Sequence, residues 1–437
     1  MDWFYEAQTA RGLTREQIAE AVRRSLPEVC PKRVLLLPPD FTRFHSNAGF
    51  IANLYYHFLT DAGAVVDVLP AVGSHAPMDR AQFARMFGDI PFESCIAHDW
   101  RSDVVKLGEI PAEFLSKISE GAWREPIAVE INRRVMDERY ELILSVGQVV
   151  PHEVAGMANH SKNLFVGVGG ADMISKSHMV GALYGVERVM GRDHTPVREL
   201  FDYALTHFLN KRPLRFALTV TTAPGGDIRT HGLFIGDTRA VLEAAIALSH
   251  KWNMDFVDKP IKKCVVYLDP EEFKSTWIGD KAIYRTCMAM ADGGELLILA
   301  PGVNKFGEDA RMDALIRKYG YAGTKKLMAL CETEQDLRDN LAAAAHLLLG
   351  CVNGRFRVVY AVKAITQKEI RDVYLDAADY DEQAKRYDPF TLQNGWNRMP
   401  DGEEIYFIPN PALGLWTDKA RFAAEAASVQ SVCPTPA

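Results

Sequence analysis

The sequence contains no CxxC pair, no HxxxH pair and no complete GxGxxG. Its seven cysteines lie far apart, at 30, 95, 264, 287, 331, 351 and 433. Zinc knuckles and disulfide frameworks need closely spaced cysteines, so neither is expected, and a reduced intracellular setting is. No apolar run approaches the roughly 18 residues that a membrane-spanning helix requires. The opening MDWFYEAQTARGLTREQ lacks a basic-then-apolar leader, so the expected location is cytoplasmic, with no membrane partner. Basic residues are not in excess: the formal net charge is -7, which argues against a nucleic-acid partner. There is no repeat of fixed period and no low-complexity tract.

What remains is a chain of 437 residues, 48% hydrophobic and 24% charged, the balance of a folded globular protein. That length exceeds one ordinary core and predicts more than one domain. RVLLLPPD (33–40) reads as a strand that ends in a turn, SNAGFIANLYYHFLTDAG (46–63) as a helix, and AVVDVLPAVG (64–73) as the next strand. Strand, helix, strand over this length is a βαβ unit. YELILSVG (140–147) is another apolar run stopped by glycine. KKCVVYLDP (262–270), ELLILAPG (295–302) and RFRVVYAV (355–362) predict a second set of strands, with helices over MDALIRKYG (312–320) and LRDNLAAAAHLLLG (337–350). The expected architecture is α/β, as two α/β domains, 1–260 and 261–437, with the active site in the cleft between them. The tail SVQSVCPTPA (428–437) is expected to fray.

The chemistry gathers in loops that follow strands, where open α/β sheets place their ligands. DFTR holds Asp40, Phe41, Thr42 and Arg43, and GSHAPMD holds His75. PHEVAGMANHSKNLFVGVGGADMISKSH (151–178) holds His152, His160, Lys162 and His178 on a glycine-rich stretch. Asp40 is an acceptor for an N–H or a ribose hydroxyl, and Thr42 and Arg43 are donors for a phosphate or carboxylate. A lone turn arginine or loop histidine is more often plain surface, so the weight rests on three loaded loops agreeing. The glycines of VGVGGADM (166–173) miss the dinucleotide fingerprint and instead predict a backbone passing close to a bound planar group. Lys162 is open to three roles: Schiff-base amine, phosphate binder or attachment point.

These residues resemble the nickel-dependent lactate racemase family. The pattern is carried by DFTR, by GSH and by Pro-His, Ala-Gly, a lysine ten residues after the histidine and a histidine sixteen after the lysine: His152, Ala155-Gly156, Lys162 and His178. The resemblance implies a nickel pincer nucleotide, a pyridinium mononucleotide that holds nickel through one carbon and two sulfurs. It implies His178 as the nickel ligand, Lys162 as the covalent tether, and Asp40 to Arg43 as the cofactor loop, with Arg43 also near substrate. His75 and His152 become the two catalytic bases, and His160 is left without a role. Cofactor-biosynthesis proteins would be needed for loading.

The implied reaction inverts C2 of a 2-hydroxy acid. Its C–H bond is poorly acidic beside a carboxylate, so hydride removal and return is the sensible route, with a base for the hydroxyl proton. Imidazole, unperturbed near about pKa 6.5, suits that task.

KAIYRTCMAM (281–290) keeps the family's substrate tyrosine as Tyr284. It has Arg285 for the family's glutamine and Met288 for its lysine. A re-lined carboxylate site predicts a larger acid, such as a sugar acid of gluconate type, over lactate. Lactate or another short 2-hydroxy acid is the alternative. A nicotinamide-dependent dehydrogenase would bring a full GxGxxG, and a non-catalytic relative would have lost one of His75, His152, Lys162 or His178; neither feature is seen, so both stand as further alternatives behind the first two.

Overall fold

Val34, Leu35, Leu36 and Leu37 are all completely buried, as a strand covered on both faces must be. In the computed structural model, which describes residues 1–430, they lie in the strand Arg33–Leu37 at the interior of a six-stranded sheet. The sheet runs, edge to edge, Trp3–Glu6, Arg229–Gly236, Leu214–Thr222, Leu142–Gln148, Arg33–Leu37 and Val65–Val68. The last four are parallel, and the first two pair antiparallel. The carboxyl ends of Arg33–Leu37, Val65–Val68 and Leu142–Gln148 therefore share one edge, and each opens into one of the loaded loops.

The expected helix over 46–63 forms as Ala48–Asp61. Its face of Ile51, Ala52, Tyr55 and Leu59 packs on Val34, Leu36 and Leu144 of the sheet. At about 25 cal/mol per Å² of apolar surface, each such aliphatic side chain contributes roughly 1.5–3 kcal/mol.

A second sheet orders its strands Asp376–Asp379, Arg357–Val362, Met290–Ala300, Ile261–Tyr267, Glu404–Ile408 and Gly395–Arg398. It is parallel except for the terminal hairpin of its last two strands. Val265, Leu297, Leu299, Ala361 and Phe407 form its core.

The chain divides into two compact units, Met1–Val180 with Val189–Asn253, and Gly181–Arg188 with Met254–Ala437. The expected boundary at 260 lies too late. Asp255–Val257 is a strand paired with Trp416–Asp418, and that pairing ties it to the second unit. The single helix expected over 337–350 is two, Gln335–Arg338 and Leu341–Leu349. Asn340 breaks it: its backbone is non-helical, and its side chain caps the second helix by accepting from the Ala343 N–H. Among the described residues no helix is long and apolar enough to cross a membrane. Cys433 and most of the tail lie outside the described residues.

Candidate active site

Asp40 sits one Pro-Pro step beyond Leu37, buried, with both carboxylate oxygens occupied. Thr42 Oγ1 donates to Oδ1 at 2.5 Å, and His75 Nδ1 lies 2.7 Å from Oδ2. Burial alone would raise the Asp40 pKa. The hydrogen bonds from His75 and Thr42, with the charges of His75 and Arg43, outweigh it and hold the carboxyl below its usual range. A carboxylate only accepts, so His75 carries a proton on Nδ1, and in the neutral ring Nε2 is then the lone pair. The His75 side chain is 61% exposed, so that lone pair is open to a small molecule.

The His75 loop is pinned to the glycine-rich stretch. The Gly73 N–H donates to the Gly167 carbonyl at 2.8 Å, and a Cβ on Gly167 would come within 2.6 Å of Ala71 Cβ. This corrects the expectation that these glycines face a bound planar group. All three are buried against protein: Gly167 on Ala71, Gly169 on the Phe165 carbonyl and Gly170 on the Glu130 side chain.

Lys162 precedes a π-helical turn, Asn163–Gly167. Asn163 Nδ2 donates to the Leu37 carbonyl at 3.0 Å and Ser145 Oγ at 2.9 Å, which anchors Lys162 at the ends of two central strands. Upstream, buried Arg198 donates to the carbonyls of Met157 and Asn159 and to Ser161 Oγ. The Lys162 ammonium makes no hydrogen bond among the described residues. Burial, with the charges of Arg43 and Arg198 added, lowers its pKa to about 8 against the opposing pull of Glu153 and Asp40.

His178 lies on the helix Ala171–Tyr184, whose start is tied down by Asp172, an acceptor for the Ala128 N–H at 2.7 Å. Its Nδ1 is 2.7 Å from the Ile174 carbonyl, one turn back. A carbonyl only accepts, so the proton is on Nδ1 and Nε2 keeps a lone pair, the tautomer a metal ligand needs. Burial and the charge of Lys162 lower its pKa to about 4.

His152 is buried in a two-residue strand, Pro151–His152, paired with Gly156–Met157. Burial holds it neutral, its pKa well below the usual value, and the charges of Lys162, Arg43 and His178 act in the same direction against Glu153.

One cluster thus joins Asp40, Arg43, His75, His152, Lys162 and His178, each within the electrostatic reach of others. Glu153 belongs to it as well, acting on His152, Lys162 and His178, and the sequence reading passed over it. Its only signal was an acidic residue directly after a loaded histidine. Phe41 packs at 5.6 Å against Phe44, and Arg85 lies over both rings. His160 is set apart: buried, stacked on Phe216 at 3.9 Å, with neither ring nitrogen hydrogen-bonded. Tyr284 and Arg285 belong to the second unit, and both are buried. Arg285 Nη1 donates to the Gly414 carbonyl at 2.8 Å, while its Nε has no partner. Among the described residues no group of three or more His, Cys, Asp or Glu is placed to hold a metal ion.

Imidazoles, an amine of lowered pKa and an ionised carboxylate gather at the carboxyl edge of the sheet's parallel strands, a candidate site in an α/β protein. Residues 10–191 match the family model of the lactate racemase N-terminal domain, so this part of the chain is similar to the lactate racemase family. That family is one of racemases, enzymes of the isomerase class.

Two solved structures share the fold. A Thermotoga maritima protein is 24% identical with a TM-score of 0.77, over 95% of this chain and 100% of that one. The lactate racemase apoprotein of Thermoanaerobacterium thermosaccharolyticum is 16% identical with a TM-score of 0.67, over 92% of this chain and 93% of that one. No curated protein matches the sequence.

Proposed function

We propose that the protein is a nickel-pincer-nucleotide-dependent isomerase that inverts C2 of a 2-hydroxy acid. The observation that carries this reading is Lys162: an amine depressed to about 8, with no hydrogen bond of its own, in the field that also acts on His178. A lowered pKa leaves about a tenth of the amine neutral at pH 7, enough to be a nucleophile. His178 offers one imidazole lone pair and no companion ligands, which suits a metal whose other donors come with the cofactor. Arg43 and Thr42 would hold the nucleotide phosphate.

When bound, this cofactor supplies a hydride acceptor beside the metal and returns the hydride. The protein's own part is to hold the acid, exclude water and move the hydroxyl proton. His75, oriented by Asp40, takes that proton at Nε2 as the C2 hydrogen departs, and gives it back to the product oxygen. His152 faces the same chemistry from the buried side.

The preferred substrate is a longer, polyhydroxylated acid of gluconate type, held by Tyr284 and Arg285, with lactate the alternative. The support is Arg285 standing where the lactate-type pattern has glutamine, and Met288 where it has lysine.

The reading is tested by loading the protein with cofactor and measuring metal and intact mass. Wild type should bind nickel near one equivalent. His178→Ala should lose it, and Lys162→Ala should lack the covalent adduct. Full nickel content in His178→Ala would refute the ligand assignment.

A further inference from the structure

His75 and His152 are held in opposite tautomers. At His75 the partner of Nδ1 is a carboxylate oxygen, 2.7 Å away, so Nδ1 donates and Nε2 is a lone pair. At His152 the partners of Nδ1 are two backbone amides, Val154 N at 3.1 Å and Ala155 N at 3.4 Å. A backbone N–H can only donate, so His152 Nδ1 must accept, and its single proton sits on Nε2.

The fold enforces this choice. His152 pairs with Gly156, and in the turn between them the amides of Val154 and Ala155 donate to the His152 ring. Gly156 closes the turn at φ 78°, and a Cβ there would lie 2.1 Å from the Arg192 carbonyl. The imidazole is the acceptor those buried amides need. Protonating Nδ1 would set a donor against two donors. The neighbouring carboxylate of Glu153 has its Oε2 3.9 Å from Nδ1, beyond hydrogen-bond reach.

Resting on the isomerase reading, we propose that the two histidines are not equivalent bases. His75 carries the hydroxyl proton for both enantiomers, and His152 is a fixed Nε2–H donor to the reacting oxygen. In each direction the O–H bond breaks and its proton passes to His75 Nε2; the cofactor, when bound, would supply the acceptor that takes the C2 hydrogen with its electron pair and returns it to the other face, and His75 gives the proton back to the product oxygen. His152 polarises the oxygen throughout and never changes protonation.

Two measurements decide it. Ring-¹⁵N-histidine spectra of the purified protein, assigned through His75→Gln and His152→Gln, should show His152 protonated at Nε2 and His75 at Nδ1. A hydrogen on His152 Nδ1 would overturn the inference, whatever the enzyme turns over. In loaded protein, His152→Ala should lose about 10²-fold or more, while His152→Gln, whose amide N–H replaces Nε2–H, should recover to within about tenfold from either enantiomer. Glutamine cannot accept a proton, so His152→Gln as dead as His152→Ala, with the fold intact by circular dichroism, would restore the two-base scheme. Failure of the isomerase reading looks different: no 2-hydroxy acid turns over, while the ring spectrum still shows the two tautomers.

Discussion

Lys162 owes its low pKa to burial first and to Arg43 second, and the shift has a sign that can be checked. Its folded pKa of about 8 lies below the ordinary 10.5, so between those values the native state binds fewer protons than the unfolded chain. The stability contribution of this group therefore rises with pH across that window. Acylation of Lys162 by a small amine-directed reagent, followed by mass spectrometry, should have a midpoint near pH 8. A midpoint above about 10, as for a surface lysine, would contradict the burial argument. Asp40 behaves in the same sense, since its folded pKa also lies below its ordinary one. Its depressed carboxyl gives stability that is present above the ordinary carboxylate range and lost as pH falls through the lower folded value. Asp40→Asn keeps the shape but not the charge that orients His75, and should cost about 10²- to 10⁴-fold in turnover, the range of a positioned acid-base group. Turnover within threefold of wild type would remove Asp40 from the proton path. Asp40 and His75 were singled out by the strand ends that precede them, and Lys162 and His178 by the family resemblance. Glu153, Asn163 and Arg198 were not, since their roles depend on which carbonyls and charges the folded chain brings to them.

At the scale of elements, the glycines between Gly167 and Gly170 serve packing. Gly170 starts the helix that carries His178, and a Cβ there would lie 2.3 Å from Glu130 Oε2, itself within 3.3 Å of the Asp172 N–H. Gly170→Ala should destabilise the protein by roughly 1–3 kcal/mol, the range for overpacking, and on the proposed reading lower the nickel bound on loading by misplacing the helix. A denaturation midpoint and nickel content unchanged from wild type would show that Glu130 gives way freely. Sequence periodicity found the strands Arg33–Leu37 and Leu142–Gln148 because burial on both faces leaves an unbroken apolar run. It read through Asn340, because capping by a side chain competes with helix continuation and leaves the apolar spacing on either side intact. The short pair Pro151–His152 with Gly156–Met157 was invisible to periodicity, being only two residues a side.

Among the described residues two six-stranded sheets dominate, each with its own core, beside three two-stranded ones, and two sets of apolar runs in the sequence pointed to the two large sheets. On the proposed reading, substrate choice rests on Tyr284 and Arg285, which belong to the second unit. If Arg285 holds a carboxylate or distal hydroxyl, Arg285→Gln should lower kcat/KM for the true substrate about 10- to 150-fold, from a charge-assisted contact of roughly 1.5–3 kcal/mol. Met288→Lys with Arg285→Gln should bring up lactate racemisation. If wild type prefers lactate to gluconate, the assignment of Arg285 is wrong.

The central claim is inversion by hydride removal and return. It is tested by giving loaded protein a panel of 2-hydroxy acids deuterated at C2, in ordinary water. The account predicts inverted product that keeps its deuterium. Inverted product with solvent hydrogen at C2 would contradict it, because that exchange marks proton abstraction from carbon.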